Sequence, residues 1–181
     1  AEGDSSGYSV SLSADGNRAA IGARYNDGNG ARYSGHVRMY DYDSVSGNWT
    51  QLGSDNDGEA EGDSSGYSVS LSSDGKRLAT GEILSDGNGT ASGQIRVYEF
   101  NFETGSWIQL GSDIDGEAAT DLSGYSISLS SDGRRIAIGA NGNDENGTNS
   151  GHVRVLEYDS GSGKWIQLGL DINGEAIADL S

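Results

Sequence analysis

Residues 124–140 read GYSISLSSDGRRIAIGA, from Gly124 to Ala140. The first half alternates, with Tyr125, Ile127 and Leu129 on one side and serines on the other, the period-two pattern of a strand with one apolar face. Asp132-Gly133 interrupts the pattern, and Asp-Gly between two strand runs predicts a two-residue hairpin turn whose central residues take positive φ. The run that follows, Arg135–Ala140, is almost entirely apolar or small, which predicts a strand buried on both faces. A Gly/Asn/Asp loop then leads to a third strand, His152–Tyr158, and a polar turn to a fourth, Trp165–Leu168.

Working outward, the same unit recurs. AEGDSSGYSVSLS opens at Ala1 and again at Ala60, AATDLSGYSISLS opens at Ala118, and AIADLS begins a further copy at Ala176. Trp49, Trp107 and Trp165 hold equivalent positions, and one extra residue in the first copy lies between Gly30 and Gly35, in a loop. The chain therefore divides into repeats at 1–59, 60–117 and 118–175, with 176–181 starting another. No segment keeps a 3.6-residue apolar period, so the reading is all-β, with three four-stranded antiparallel repeats. A lone four-stranded sheet has two apolar faces and little core. Stacking such sheets around an axis covers those faces, so a β-propeller is expected over a solenoid, whose coils are shorter. Three sheets are fewer than the four to eight that close a ring. Further copies of the repeat or of the chain are therefore expected against the outer faces, in a larger ring or a filament.

The string GYSVSLSADGNRAAIGA followed by SGHVRMYDY resembles the FG-GAP repeat of integrin-α-type propellers. In that family an aromatic-Gly pair opens the blade, an apolar strand ends in Gly-Ala, and a Gly precedes the third strand. Here the pair is inverted, as Gly7-Tyr8, Gly66-Tyr67 and Gly124-Tyr125, and the second unit ends in Gly81-Glu82 where the others have Gly-Ala. Calcium-binding members carry D-x-D-x-D-G between the first two strands, but this chain has Ser13-Ala-Asp-Gly-Asn-Arg18 there. So short a hairpin cannot surround Ca²⁺ with six or more oxygens, and that family site is not carried over. The Ser-x-Asp-Gly-x-Arg segment is also similar to bacterial propellers related to a periplasmic translocation protein.

Composition narrows the function. The 181 residues include no Cys and no Pro and carry a formal charge of −17. Such acidity repels nucleic acid and anionic membranes and favours cations, basic partners or solubility. Absence of Cys removes disulfides, thiolate metal sites and Cys nucleophiles together. No apolar run is long enough to span a membrane.

The recurrent acidic stretch after the fourth strand is the candidate metal site. It comprises Asp55, Asp57, Glu59 and Asp63, then Asp113, Asp115, Glu117 and Asp121, then Asp171, Asn173, Glu175 and Asp179. Oxygen side chains at alternate positions around a Gly suit Ca²⁺, and a solvated acidic connection is the competing reading. A second oxygen-rich loop, Asn26–Gly30 and its equivalents, reads first as a turn. Asn48, Asn88 and Asn146 stand in N-x-T sequons and are glycosylation candidates. The three Trp read as blade packing, and Arg38, Arg96 and Arg154 as partners for the acidic loops or for aromatic rings. His36 and His152 recur with the repeat, with Gln94 between them, and read as structural. No nucleophile elbow is present. These features lead to the expectation of a non-catalytic, extracellular or cell-surface structural or adhesive protein with calcium as candidate cofactor. Its partners would be copies of itself, glycans or other surface proteins, and a carbohydrate-binding lectin is the alternative.

Overall fold

The computed structural model describes residues 3–175, and among these the chain is all-β apart from one 3₁₀ turn at Gly28–Gly30. The first unit contains β1 (Ser9–Leu12), β2 (Arg18–Ala23), β3 (His36–Asp43), β4 (Asn48–Gln51) and β5 (Asn56–Asp57). The second contains β6 (Ser68–Leu71), β7 (Arg77–Glu82), β8 (Gln94–Asn101), β9 (Ser106–Gln109) and β10 (Ile114–Asp115). The third contains β11 (Ser126–Leu129), β12 (Arg135–Ala140), β13 (His152–Asp159), β14 (Lys164–Gln167) and β15 (Ile172–Asn173). Each unit is an antiparallel meander, β1-β2-β3-β4 in the first, whose outer strand is split in two. β4 pairs with the C-terminal half of β3, Tyr40 opposite Gln51, and β5 pairs with its first residues, His36 opposite Asp57. The expected four-stranded units are therefore present, and the connection after the fourth strand adds a short pairing that the sequence reading did not contain. The start of the fourth copy, from Ala176, lies outside the described residues.

The Asp-Gly dipeptides do sit at hairpin tips, but the turn differs from the expected one. Only the Gly takes positive φ, and the Asp side chain organises a longer connection. Asp15 Oδ1 accepts from Ser13 Oγ at 2.6 Å and from the Asn17 backbone N–H at 3.0 Å, while the Arg18 N–H donates to Ser13 Oγ at 2.9 Å. The same bonds recur around Asp74 and Asp132, so the Ser that precedes each tip is as much part of the turn as the Asp-Gly.

The sheets stack face to face as blades, and the alternating first strand is what joins them. Val69 and Leu71 of β6 bury themselves against Ala20, Val37 and Met39 of the first blade. Ile127 and Leu129 of β11 repeat the contact against Ala79, Ile95 and Val97. The serines on the opposite side of the strand face the following blade. Ser9 Oγ donates to Gly66 O at 2.7 Å, and Ser11 Oγ accepts from the Leu71 N–H at 3.0 Å. Ser68 and Ser70 bond Gly124 and Leu129 in the same way. Two of the Trp then clamp backward: Trp107 Nε1 donates to Leu52 O at 2.9 Å and Trp165 Nε1 to Leu110 O at 2.8 Å. The Gly of the Gly-Ala strand end is dictated by the same stacking, because a Cβ on Gly22 would collide with Gly66 O of the next blade.

The two outer faces show what the inner ones cover. Val10 and Leu12 are 68% and 61% exposed, whereas their counterparts Val69 and Leu71 are 9% and 7% exposed. Ser126 and Ser128, on the far side of the third blade, are exposed. Leu71→Ala should therefore cost about 2–5 kcal/mol through loss of buried volume. Leu12→Ala, the same residue one repeat earlier, should stay within about 1 kcal/mol. Urea unfolding of the two variants measures this, and equal losses would contradict the stacking.

Candidate functional site

The loops after the second strand and the connectors between blades share one rim, and they are tied together there. Ser65 N donates to Ser34 O at 2.8 Å and Gly58 N to Gly35 O at 2.9 Å, with Ser123, Ser92, Gly116 and Gly93 repeating the pattern. Gly35 has φ +75° and packs so closely that any side chain would strike Ser65. The acidic candidates lie on this rim, and most already hold a partner. Asp55 receives Arg38 on both oxygens, at 2.8 to 3.0 Å, and this guanidinium holds its carboxyl below the usual range. Asp113 Oδ1 accepts from Gln109 at 2.6 Å, and Asp171 accepts from Gln167. Asp63 accepts from Ala60 N at 2.8 Å, and burial pushes its carboxyl upward; burial does the same to Asp115. Asp121 accepts from Ala118 N and Asn143 Nδ2, both at 3.1 Å. Glu59 faces Arg96 at 3.3 Å and Glu117 faces Arg154 at 3.6 Å, so the third-strand arginines reach back to the preceding connector. Asp57 lies across β3 from His36, while Asn173 and Glu175 are exposed; Asp179 lies outside the described residues.

The second oxygen-rich loop closes on itself. Asp27, Asp86 and Asp144 accept the backbone N–H groups of Tyr33, Ala91 and Asn149 at 2.7 to 2.9 Å, which is the turn the sequence suggested. Two sequon amides are structural donors: Asn88 Nδ2 to Gly116 O at 3.1 Å and Asn146 Nδ2 to Gly174 O at 2.9 Å. A glycan on either would compete with that bond, whereas Asn48 is exposed on β4.

Two constellations break the repeat. The first is in the second blade, where Glu82 replaces the Ala of the Gly-Ala strand end. Its side chain is fully buried beside Arg96, which bonds Oε1 through Nε at 2.8 Å and also through Nη2, while Oε2 is buried without a partner. Burial pushes Glu82 up to about 7, against the opposing pull of Arg96. The second is in the first blade, where the loop with the extra residue carries Tyr25, Arg32 and Tyr33. With Gly3, Asp4, Asn26 and Asp27 they line a cavity of about 650 Å³. Tyr25 and Tyr33 meet edge to face at 5.5 Å, and the Arg32 guanidinium lies 4.6 Å from the Tyr33 ring centre. The sequence reading quoted both departures from the repeat without assigning them chemistry, and comparing the three copies column by column is the signal that marks them.

The FG-GAP repeat matches residues 114–156, so the resemblance carried by the strand pattern is shown for that stretch. No curated protein matches the chain. Among solved structures, the chain is similar to a 6-phosphogluconolactonase candidate from Bacteroides uniformis, with 16% identity, a TM-score of 0.62, and 93% of this chain against 41% of that one. A second such candidate, from Bacteroides fragilis, gives 14% identity and 0.62 over 93% of this chain and 39% of that one. The periplasmic gluconolactonase of Pseudomonas aeruginosa gives 20% identity and 0.55 over 90% and 38%. These likenesses show a propeller-type fold, and the chain spans about two fifths of those structures' lengths. They also correct the functional expectation. These three neighbours bear the names of lactonases, and against them the expected non-catalytic structural or adhesive role, with its lectin alternative, does not stand. That expectation took equivalence between repeats as absence of chemistry, and assigned none to the positions where the repeats differ.

Glu82 yields a prediction with a definite sign. An unfolded Glu loses its proton near 4.5, whereas folded Glu82 keeps it to about 7. Between those pH values the native state binds more protons than the unfolded state, so stability falls as pH rises through this window. Melting temperatures measured from about pH 4 to about pH 8 should show this decline in the wild type and a flatter profile in Glu82→Gln. Parallel profiles would place the Glu82 transition elsewhere.

Proposed function

We propose that the chain supplies three blades of a propeller hydrolase acting on a small sugar-acid lactone, held in the rim cavity of the first blade. The observation that carries this reading is the concentration of repeat-breaking residues in that cavity. Tyr25 and Tyr33 offer ring faces to a sugar's C–H surface, Asp4, Asn26 and Asp27 offer acceptors to its hydroxyls, and Arg32 offers a fork for a carboxylate or phosphate. The volume of about 650 Å³ suits a small ligand. Lactone hydrolysis requires a proton acceptor for the attacking water and a cation near the oxygen that gains charge. Asp27 or Asp4 would take the proton, and Arg32, the one cation lining the cavity among the described residues, would meet the developing charge in ligands whose phosphate it does not hold. The names of the neighbours support the substrate class. The exposed outer faces support completion of the ring by further blades, since Val10, Leu12, Ser126 and Ser128 are matched to the surfaces their counterparts cover.

The test combines binding with turnover. Saturation-transfer NMR should detect gluconate and 6-phosphogluconate, with the phosphorylated ligand the tighter. Arg32→Ala and Tyr33→Ala should each weaken binding about tenfold, equivalent to about 1.4 kcal/mol. Hydrolysis of the corresponding lactones should exceed the spontaneous rate. Absence of binding by either acid, with no added turnover, overturns the reading.

A further inference from the structure

Glu117, His152 and Asp171 come from three places in the chain: the connector after β10, the first residue of β13, and the turn before β15. Each offers one ligand atom, and these atoms lie within 4.8 Å of one another. His152 is 1% exposed, and its Nδ1 is buried without a hydrogen-bond partner. That nitrogen points at Glu117 Oε2 from 3.8 Å, beyond hydrogen-bond reach. A buried imidazole nitrogen normally has a partner, and the carboxylates beside it make a cation the fitting one. We infer that these three side chains form a binding site for a divalent transition-metal ion of the zinc type. This inference is independent of the lactone reading.

The chemistry separates this site from the calcium loops expected from the sequence. Ca²⁺ and Mg²⁺ take oxygen donors, whereas one imidazole with two carboxylates is a donor set for zinc and its neighbours. Tetrahedral zinc with bonds of about 2.0–2.2 Å separates its ligands by about 3.4 Å, so the trio needs to contract only modestly. Each carboxylate also has one oxygen already engaged: Glu117 Oε1 faces Arg154 Nη1 at 3.6 Å, and Asp171 Oδ1 accepts from Gln167. These are the outer contacts that orient metal ligands. Glu117 and Asp171 also line a cleft of about 390 Å³, which leaves room for a water or an exogenous ligand as the fourth donor.

Among the described residues, the other two repeats do not present the same free trio. In the first blade His36, Asp55 and Asp57 approach one another similarly, but the Arg38 guanidinium already occupies both oxygens of Asp55. In the second blade Gln94 replaces the His, and its Oε1 accepts from Ser85 Oγ at 2.7 Å. The fold therefore accommodates Gln at this position, and His152→Gln is a gentle variant.

The experiment is titration of tag-free protein with Zn²⁺ by calorimetry, and with Co²⁺ by its visible ligand-field absorption. One equivalent should bind, with a Co²⁺ band of low-coordinate N/O type, and a large excess of Ca²⁺ should leave the band in place. His152→Gln and Asp171→Asn should each weaken binding by more than about tenfold. His36→Gln should bind as the wild type does. Melts without metal confirm that each variant is folded. Absence of Zn²⁺ and Co²⁺ binding by the wild type, full binding by His152→Gln, or displacement of Co²⁺ by Ca²⁺ would each overturn the site.

Discussion

Everything in this chain hangs on the contact between one blade's first strand and the middle of the blade before it. A four-stranded sheet of this size cannot bury its own apolar residues, and isolated it would leave both faces wet. The alternation in Gly-Tyr-Ser-Val-Ser-Leu solves this with two kinds of contact from one strand. Its apolar side presses back into Ala20, Val37 and Met39, and its serines reach forward to the next backbone. Trp107 and Trp165 add a bond to the preceding blade from the outer strand, so the junction is held from both the first and the fourth strand. Stability in such an array is a sum of unit and neighbour terms.

The same stacking governs the charge distribution. A formal charge of −17 would spread a chain apart if its carboxylates were free, but many are engaged locally. Asp15, Asp74 and Asp132 organise hairpins, and Asp27, Asp86 and Asp144 close loops on themselves. The third-strand arginines supply the positive counterweight where blades meet. Arg96 reaches Glu59 and the Asp57 carbonyl, and Arg154 reaches Glu117 and the Asp115 carbonyl. Arg38 has no described blade before it and turns instead to Asp55 of its own. Equivalent sequence positions thus carry different partners among the described residues.

This explains what could be read from the sequence and what could not. The four main strands of each unit, their order and the Asp-Gly tips were legible because period-two alternation and turn residues act within a few positions, whereas the short fifth pairing was not. Arg135–Ala140 was placed to the residue as β12 for this reason. The turn type was not legible, because it depends on hydroxyl and carboxylate bonds to the backbone that make the loop longer than Asp-Gly alone implies. The acidic stretches read as candidate calcium loops because they set oxygens at alternate positions along a line. In space that line is a connector crossing between two blades. Its successive carboxylates meet Arg38, Gln109 or backbone N–H groups, or converge with a histidine from another strand. Convergence across blades has no signature in linear spacing.

A repeat protein can copy a turn, a clamp and a core contact indefinitely, because each serves folding equally in every unit. Chemistry that acts at one place must therefore come from residues that differ between units, against the tendency of duplication to make them alike. Three such differences are visible here. Glu82 stands where the other blades have Ala23 and Ala140, and its burial carries a carboxyl into the neutral pH range. Tyr25, Arg32 and Tyr33 occupy a loop that is shorter and less aromatic in the other two copies. His152 repeats His36, but only at the third blade does a preceding connector bring Glu117 beside it. The last case shows that a difference in surroundings is enough. The stacking of blades turns equivalent side chains into inequivalent sites, so a function can arise at one junction while the sequence still reads as a repeat.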